Sequence, residues 1–233
     1  MRRIAFLFFV SVAILAYLRS PYSRLAEIEV TGLERLEKAD VLRFAGVRVG
    51  DPVFVRPTAI RDRLLRSGEV TAADVRLRFP NRLSITVREA RAVAREAGGA
   101  LWLETGAMSR LGKRPADAVW LSDGLSTADK AALARALGAL SPAVTRLISE
   151  IDREAAGDRL VVYLTTGDAV VVPPEAFAEE MAHLDAYLAA VPPGVHGRLY
   201  LLRGGAYFVA YGSEPKTPIK KDQETGKPAS RGE

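Results

Sequence analysis

The chain has 233 residues, 48% of them hydrophobic and 26% charged, which leaves room for one large or two small domains and excludes wholesale disorder. It contains no cysteine, so disulfides, thiolate nucleophiles and zinc–thiolate sites are excluded together, while the compartment stays open. The formal charge of +5 comes from 33 basic against 28 acidic residues, and only 7 of the basic ones are Lys; an arginine excess fits phosphate recognition or, more plainly, a GC-rich coding bias.

The N-terminus, MRRIAFLFFVSVAILAYLRSPYSR, opens on two arginines and then runs from residue 4 to residue 18 without a charge. As a helix this stretch spans roughly 23 Å, short of the ~30 Å hydrocarbon core. Arg2, Arg3 and Arg19 are placed to snorkel, Tyr17 and Tyr22 suit the interface, and Pro21 ends the helix. The rival reading is a cleaved signal peptide, but Tyr17-Leu18-Arg19-Ser20 offers no small-x-small site, and Ser11-x-Ala13 lies inside the apolar run. The expected arrangement is an uncleaved anchor over residues 4–20, with residues 1–3 cytoplasmic and the bulk outside, as a single-pass type II protein of the inner membrane. Charge alone does not orient it, because Arg2 and Arg3 are balanced by Arg19 and Arg24.

Residues 24–90 parse as β-α-α-β-β. Ile28 and Val30 alternate with Glu27 and Glu29, and Gly32 ends the strand. Val41, Leu42 and Ala45 share one side of a short helix closed by Gly46. Pro57 opens a second helix with an Ile60, Leu64, Leu65 stripe, stopped at Ser67-Gly68. Val75, Leu77 and Phe79 alternate with Arg76 and Arg78. Leu83, Ile85 and Val87 do the same with Ser84, Thr86 and Arg88, across a Pro80-Asn81 turn. A three-stranded sheet with two helices on one face is a sufficient core.

This segment resembles a POTRA domain, and more closely the one that opens the FtsQ/DivIB family of bacterial cell-division proteins. The carrying residues are Val30-Thr31-Gly32, the Gly46…Gly50-Asp51-Pro52-Val53-Phe54 connection, and VRLRFPNRLSITVREARAVA. The family's usual exit proline is absent from Glu89-Ala90-Arg91-Ala92-Val93-Ala94. POTRA domains also precede outer-membrane barrels, but residues 91–211 are too few and too interrupted by helices for eight membrane strands.

Residues 91–211 read as a mixed α/β domain with an antiparallel sheet, so the expected fold class is α+β. A hairpin turns at Thr105-Gly106, a strand follows in AVWLSDG, and a helix over residues 126–140 is capped by Ser126 or Thr127. Strands are expected near residues 144–151, 159–164 and 169–172, then a helix over residues 175–191 with Phe177, Met181, Leu184 and Leu188 at helical spacing. A hairpin around Gly204-Gly205 comes last. The layout is similar to the β-domain of FtsQ-type proteins. The tail from residue 212 to 233 has the composition of disorder.

No catalytic pattern, phosphate loop or nucleophile elbow occurs, and no cofactor or metal is expected. His183, near Glu179, Glu180 and Asp185, lacks the second Glu-x-x-His copy and the further carboxylates a bundle metal site needs; His196 lies in a turn. The protein is expected not to be an enzyme. Arg76, Arg78, Arg82 and Arg88 share the outer face of the first domain's hairpin. They read either as a solvated face that prevents mispairing or as a patch for anionic lipid or an acidic partner. Without interleaved aromatics they do not suit nucleic acid.

The last strand raises a question of its own. Arg203, Gly204, Gly205, Ala206, Tyr207, Phe208, Val209, Ala210 and Tyr211 hold no Lys, Pro or charge within the run that follows the turn, so the strand lacks the usual blunting of a sheet edge. Such an edge suits β-augmentation, in which a partner strand joins the sheet, with Tyr207, Phe208 and Tyr211 as anchors. The alternative is that these residues close the domain's own core, with Phe208 inward and Tyr207 outward. The resemblance implies the first use: FtsB-like and FtsL-like single-pass division proteins as partners, other divisome membrane proteins beside them, and a scaffold at the septum. The competing function is a POTRA-containing export or outer-membrane assembly factor; a soluble basic binding module is a third.

Overall fold

The computed structural model describes residues 2–154, 158–202 and 205–212. Helix α1 (Arg2–Arg19) buries none of its described apolar side chains: Phe6, Phe9 and Leu15 are exposed on different sides. Among the described residues no helix is long and apolar enough to cross a membrane. A 3-10 turn, Pro21–Ser23, links α1 to the first sheet, and the Ser23 hydroxyl donates back to the Leu18 carbonyl at 2.9 Å.

The first sheet has the order β1 (Glu27–Thr31), β3 (Arg82–Glu89), β2 (Val70–Arg78), with β1 parallel and β2 antiparallel to β3. Helices α2 (Lys38–Ala45) and α3 (Pro57–Arg66) cover one face. Their Val41, Ala45, Ile60 and Leu64 pack with Ile28, Val75, Leu83, Ile85 and Val87, as the period-2 and period-3.6 patterns require. Gly32 leaves β1 with φ 84°, and a Cβ there would collide with the Val87 carbonyl oxygen, so only glycine fits.

The second sheet has nine strands among the described residues, and the final strand of the chain lies at one edge. They are β4 (Ala92–Arg95), β5 (Leu101–Leu103), β6 (Met108–Ser109), β7 (Val119–Leu121), β8 (Ile148–Arg153), β9 (Leu160–Leu164), β10 (Ala169–Val172), β11 (Gly197–Leu202) and β12 (Gly205–Ala210). In space the order is β12-β11-β10-β9-β8-β7-β4-β5-β6. The expected antiparallel sheet is corrected to a mixed one: β4 with β7, β7 with β8 and β10 with β11 run parallel. Parallel neighbours need a crossover; β5 and β6 lie in the one between β4 and β7, and helical segments supply the other two. One is α4 (Thr127–Ala139) with α5 (Pro142–Leu147), between β7 and β8; the other is α6 (Phe177–Met181) with α7 (Leu184–Ala189), between β10 and β11.

Two local expectations also change. The strand expected from residue 144 begins at Ile148, because Ser141 accepts from the Val144 N–H and Pro142 occupies the first turn, which starts a helix instead. The helix expected over residues 175–191 is two pieces: the His183 N–H bonds the Glu180 carbonyl, three residues back, and the turn tightens there. Met181 and Leu184 on either side of this break are both fully buried. Ser126 caps α4 as expected, in a reciprocal capping box with Asp129.

Arg35 ties the two sheets together. Its guanidinium donates to Glu69 Oε2 at 2.5 Å, to the Leu111 carbonyl at 2.8 Å and to Ser109 Oγ at 3.2 Å. Glu89 accepts from the backbone N–H groups of Glu34, Arg35 and Leu36. Beside this cluster the Thr105 hydroxyl donates to the Gly68 carbonyl at 2.7 Å.

Candidate functional site

The candidate site is the β11–β12 hairpin and the sheet face beside it. Arg203 and Gly204 lie outside the described residues. β12 pairs antiparallel with β11, from Gly205 opposite Leu202 to Ala210 opposite Gly197, and with no other described strand. Tyr211 follows the strand and extends the ladder by donating its N–H to the His196 carbonyl at 2.9 Å. Because antiparallel bonding alternates residue by residue, this bond turns the backbone groups of Ala206 and Phe208 away from β11. An added strand would meet them there.

The side chains divide between two faces. Phe208 is half-buried and packs on the core beneath the helices, with its ring tip 2.7 Å from where a Cβ on Gly197 would stand. Phe208 therefore fills the space that a side chain at Gly197 would take. On the opposite face Tyr207, 44% exposed, stacks on Tyr200, with 4.7 Å between ring centroids and 3° between planes. Tyr211 is exposed beyond it.

That opposite face is not the wet face of an ordinary two-layer sheet. Val161, Ala169 and Val171 point to it and are nevertheless buried, with Tyr200 packed on them. Register carries this surface across the strands: Tyr163 stands opposite Ala169, Ala169 beside Arg198, Val171 beside Tyr200, and Tyr200 beside Tyr207. The hydrogen bond of Arg198 to Tyr200 raises its pKa, burial works the other way, and Tyr211 and Tyr163 add to the rise, so the guanidinium stays charged among aromatic rings. Arg198, Tyr200 and Tyr163 were not singled out from sequence. Their signal was the lack of alternation in LVVYL, AVVV and RLYLL, which marks strands apolar on both faces.

The start of β11 is pinned. Asp168, in the β9–β10 turn, accepts from the Gly197 N–H at 2.9 Å and from the Thr166 hydroxyl at 2.7 Å, and lies 3.2 Å from His196 Nδ1. Burial pushes the Asp168 carboxyl up, but the bonds from Thr166, the Gly197 N–H and His196 outweigh it and hold its pKa below the ordinary value. His183 sits between α6 and α7, exposed. Among the described residues no three His, Cys, Asp or Glu side chains are grouped to hold a metal.

The four hairpin arginines are all exposed on the outer face of the first sheet, but they are not a bare basic patch. Arg76 pairs with Asp74 at 2.8 Å, Arg82 pairs with Glu27 at 3.2 Å, and Arg88 donates to the Thr71 hydroxyl at 3.1 Å. Arg78 stands opposite Arg82 in the register.

A β-α-α-β-β unit followed by a mixed sheet that ends in an edge strand defines the class. Residues 23–90 match the family model described as POTRA domain, FtsQ-type. The chain is 30% identical over 231 residues to Cell division protein DivIB of Geobacillus kaustophilus, covering 92% of this chain and 86% of that protein. It is 26% identical over 226 residues to Cell division protein DivIB of Bacillus subtilis, covering 93% and 86%. A solved structure of the major extracytoplasmic domain of DivIB from Geobacillus stearothermophilus is 27% identical, with a TM-score of 0.36, over 46% of this chain and 98% of that one. The chain belongs to the FtsQ/DivIB family of bacterial cell-division proteins.

Proposed function

We propose that this protein is a non-catalytic scaffold of the division septum that recruits and holds partner division proteins. In this reading residues 4–20 anchor it in the inner membrane, and residues 24–90 and 91–211 stand on the extracytoplasmic side. A partner strand adds to β12 on the side away from β11. Its backbone pairs with Ala206 and Phe208, while its side chains meet Tyr207, Tyr211, Tyr200 and Arg198.

The observation that carries the reading is the placement of β12: last in the sheet order, without a blunting residue, and continuous with an aromatic face. Phe208 enters the proposal as a core residue that shapes the strand, and Tyr207 and Tyr211 as the contacts. FtsB-like and FtsL-like single-pass proteins are the partners that the family resemblance implies. One added strand makes a small interface with modest affinity in solution, which a shared membrane would offset by raising the effective concentration. Membership of a cell-division family weighs against the export or outer-membrane assembly alternative.

A fluorescent fusion of the full chain tests the role. A band at mid-cell that disperses when residues 1–20 are removed is the expected result. A uniform envelope ring would favour the export reading instead.

A further inference from the structure

The β2–β3 hairpin outruns the helices that cover its first half, and the uncovered end is apolar. Leu77 is 42% exposed and Phe79, at the tip, 96%; Phe54, on the loop before α3, is 66% exposed. Tyr17 of α1 stands edge-on to Phe54, with 6.3 Å between ring centroids. With Val53, Val55 and Pro80 these four line one shallow depression. A contiguous apolar patch of this kind on a folded surface marks a contact with something else.

The patch lies at the end of the first sheet where α1 enters. The Ala26 N–H bonds the Asn81 carbonyl at 3.0 Å, the Val53 N–H bonds the Ser23 carbonyl at 2.8 Å, and the Leu25 N–H bonds the Asp51 carbonyl at 2.8 Å. The hairpin tip and the Phe54 loop are thus fastened around the foot of α1. Of the exposed basic residues at this end, Arg19, Arg24, Arg56 and Arg78 form no ion pair among the described residues, whereas Arg48 and Arg82 do. The acids there are already engaged, Asp51 with Arg48 and Glu27 with Arg82. An aromatic tip ringed by free positive charge is complementary to an anionic lipid interface.

Continuity and length select lipid over protein as the occupant. The patch runs directly into α1, whose described apolar side chains are exposed on all sides and are matched by no described part of the chain. The uncharged run over residues 4–18 spans roughly 23 Å, about 7 Å less than the hydrocarbon core, and a short span draws its flanks toward the bilayer. We propose that the Phe54–Phe79 end of the first sheet sits in the headgroup region of the membrane that α1 enters, with both rings inserted and Arg24, Arg56 and Arg78 on anionic headgroups. The inference rests on the anchor reading of α1. It would set the orientation of the first sheet to the bilayer and hence the direction in which β12 is presented.

The absence of cysteine makes the test direct. The full chain, carrying a single cysteine at Phe79→Cys, Phe54→Cys, Ile14→Cys or Asp123→Cys, is labelled with an environment-sensitive fluorophore. Each is reconstituted in vesicles of phosphatidylcholine and phosphatidylglycerol, with and without a lipid that bears a nitroxide near the headgroup. All four native side chains are exposed, so folding is not at stake. The expected result is a blue shift and nitroxide quenching at 79 and 54, lipid contact at 14, and neither effect at 123. Quenching at 79 and 54 should weaken when phosphatidylglycerol is omitted; unchanged quenching would overturn the role of the arginines. Lipid contact at 14 with watery probes at 79 and 54 would overturn the inference and leave the anchor standing. No lipid contact at 14 would overturn the anchor and the inference with it. A blue shift at 79 and 54 without quenching would mean that protein covers the patch, and would also overturn the inference.

Discussion

Replacing Arg35 by Ala should loosen the junction between the two sheets more than any surface change. The guanidinium lies among side chains only 9%, 7% and 5% exposed, its own and those of Glu69 and Glu89. Truncation removes the bonds to Glu69 Oε2, the Leu111 carbonyl and Ser109 Oγ and leaves two buried carboxylates without their cation. Breaking a buried ion pair from one side costs roughly 3–5 kcal/mol. Glu89 keeps three backbone N–H donors, so most of the unmet charge falls on Glu69 and the lower end, about 3 kcal/mol, is the better figure. For a chain of this size that corresponds to a drop of roughly 6–12 °C in Tm. Thermal unfolding of the full chain in detergent micelles, followed by circular dichroism, reads it. Arg35→Met, which fills the volume but leaves the carboxylates equally unpaired, should fall nearly as far. A loss below about 1 kcal/mol for both variants would refute the claim that this ion network holds the junction.

Three further outcomes can be checked in the same preparation. Gly32→Ala should destabilise the first sheet by about 2 kcal/mol or more, since it combines a positive φ with a clash against the Val87 carbonyl; an unchanged urea midpoint would contradict it. Lys130→Ala should cost a few kcal/mol, roughly 2–4, because Glu96 would lose the ammonium 2.7 Å away that anchors α4 over β4 and β5; Lys130→Met should not rescue it. Asp168 gives a pH signature. Its folded pKa is depressed, so its stabilisation is complete above the unfolded value, near 4, and is lost as pH falls through the folded one. The stability gap between the native chain and Asp168→Asn should therefore be full at neutral pH and close in acid, and a gap independent of pH would contradict the assignment.

Much of the first sheet was legible because each of its elements carries its own period and its own stop. Ile28 and Val30 mark a strand that Gly32 ends, and Ile60, Leu64 and Leu65 mark a helix that Ser67-Gly68 ends. The same alternation misleads at the end of β2. Val75, Leu77 and Phe79 share one parity, yet Val75 is buried while Leu77 and Phe79 are bare, because the covering helices stop short of the hairpin tip. A periodic pattern reports which face a residue takes and says nothing of where the cover ends. The order of strands in the second sheet was equally out of reach. Parallel pairing of β10 with β11 depends on a crossover through α6 and α7, a long-range property that no local pattern encodes. At the edge itself, the failure of RLYLL and AYFVA to alternate was visible, and it pointed to a strand with two apolar faces. Which ring goes to which face needed the register: Tyr207 opposite Tyr200, and Phe208 opposite Leu199.

The proposed pairing of a partner strand with the outer side of β12 can be read in one titration. Ala206→Pro removes a backbone donor that faces away from β11, at an exposed position and without touching the ladder to β11. The full chain in micelles is titrated with the extracytoplasmic part of the proposed FtsB-like partner, beside Ala206→Pro, Tyr207→Glu and the distant control Arg76→Glu, with circular dichroism confirming that each is folded. Binding should be at least about tenfold weaker for the first two, roughly 1.4 kcal/mol, and unchanged for the control. Folded Ala206→Pro protein that binds as tightly as the native chain would contradict it.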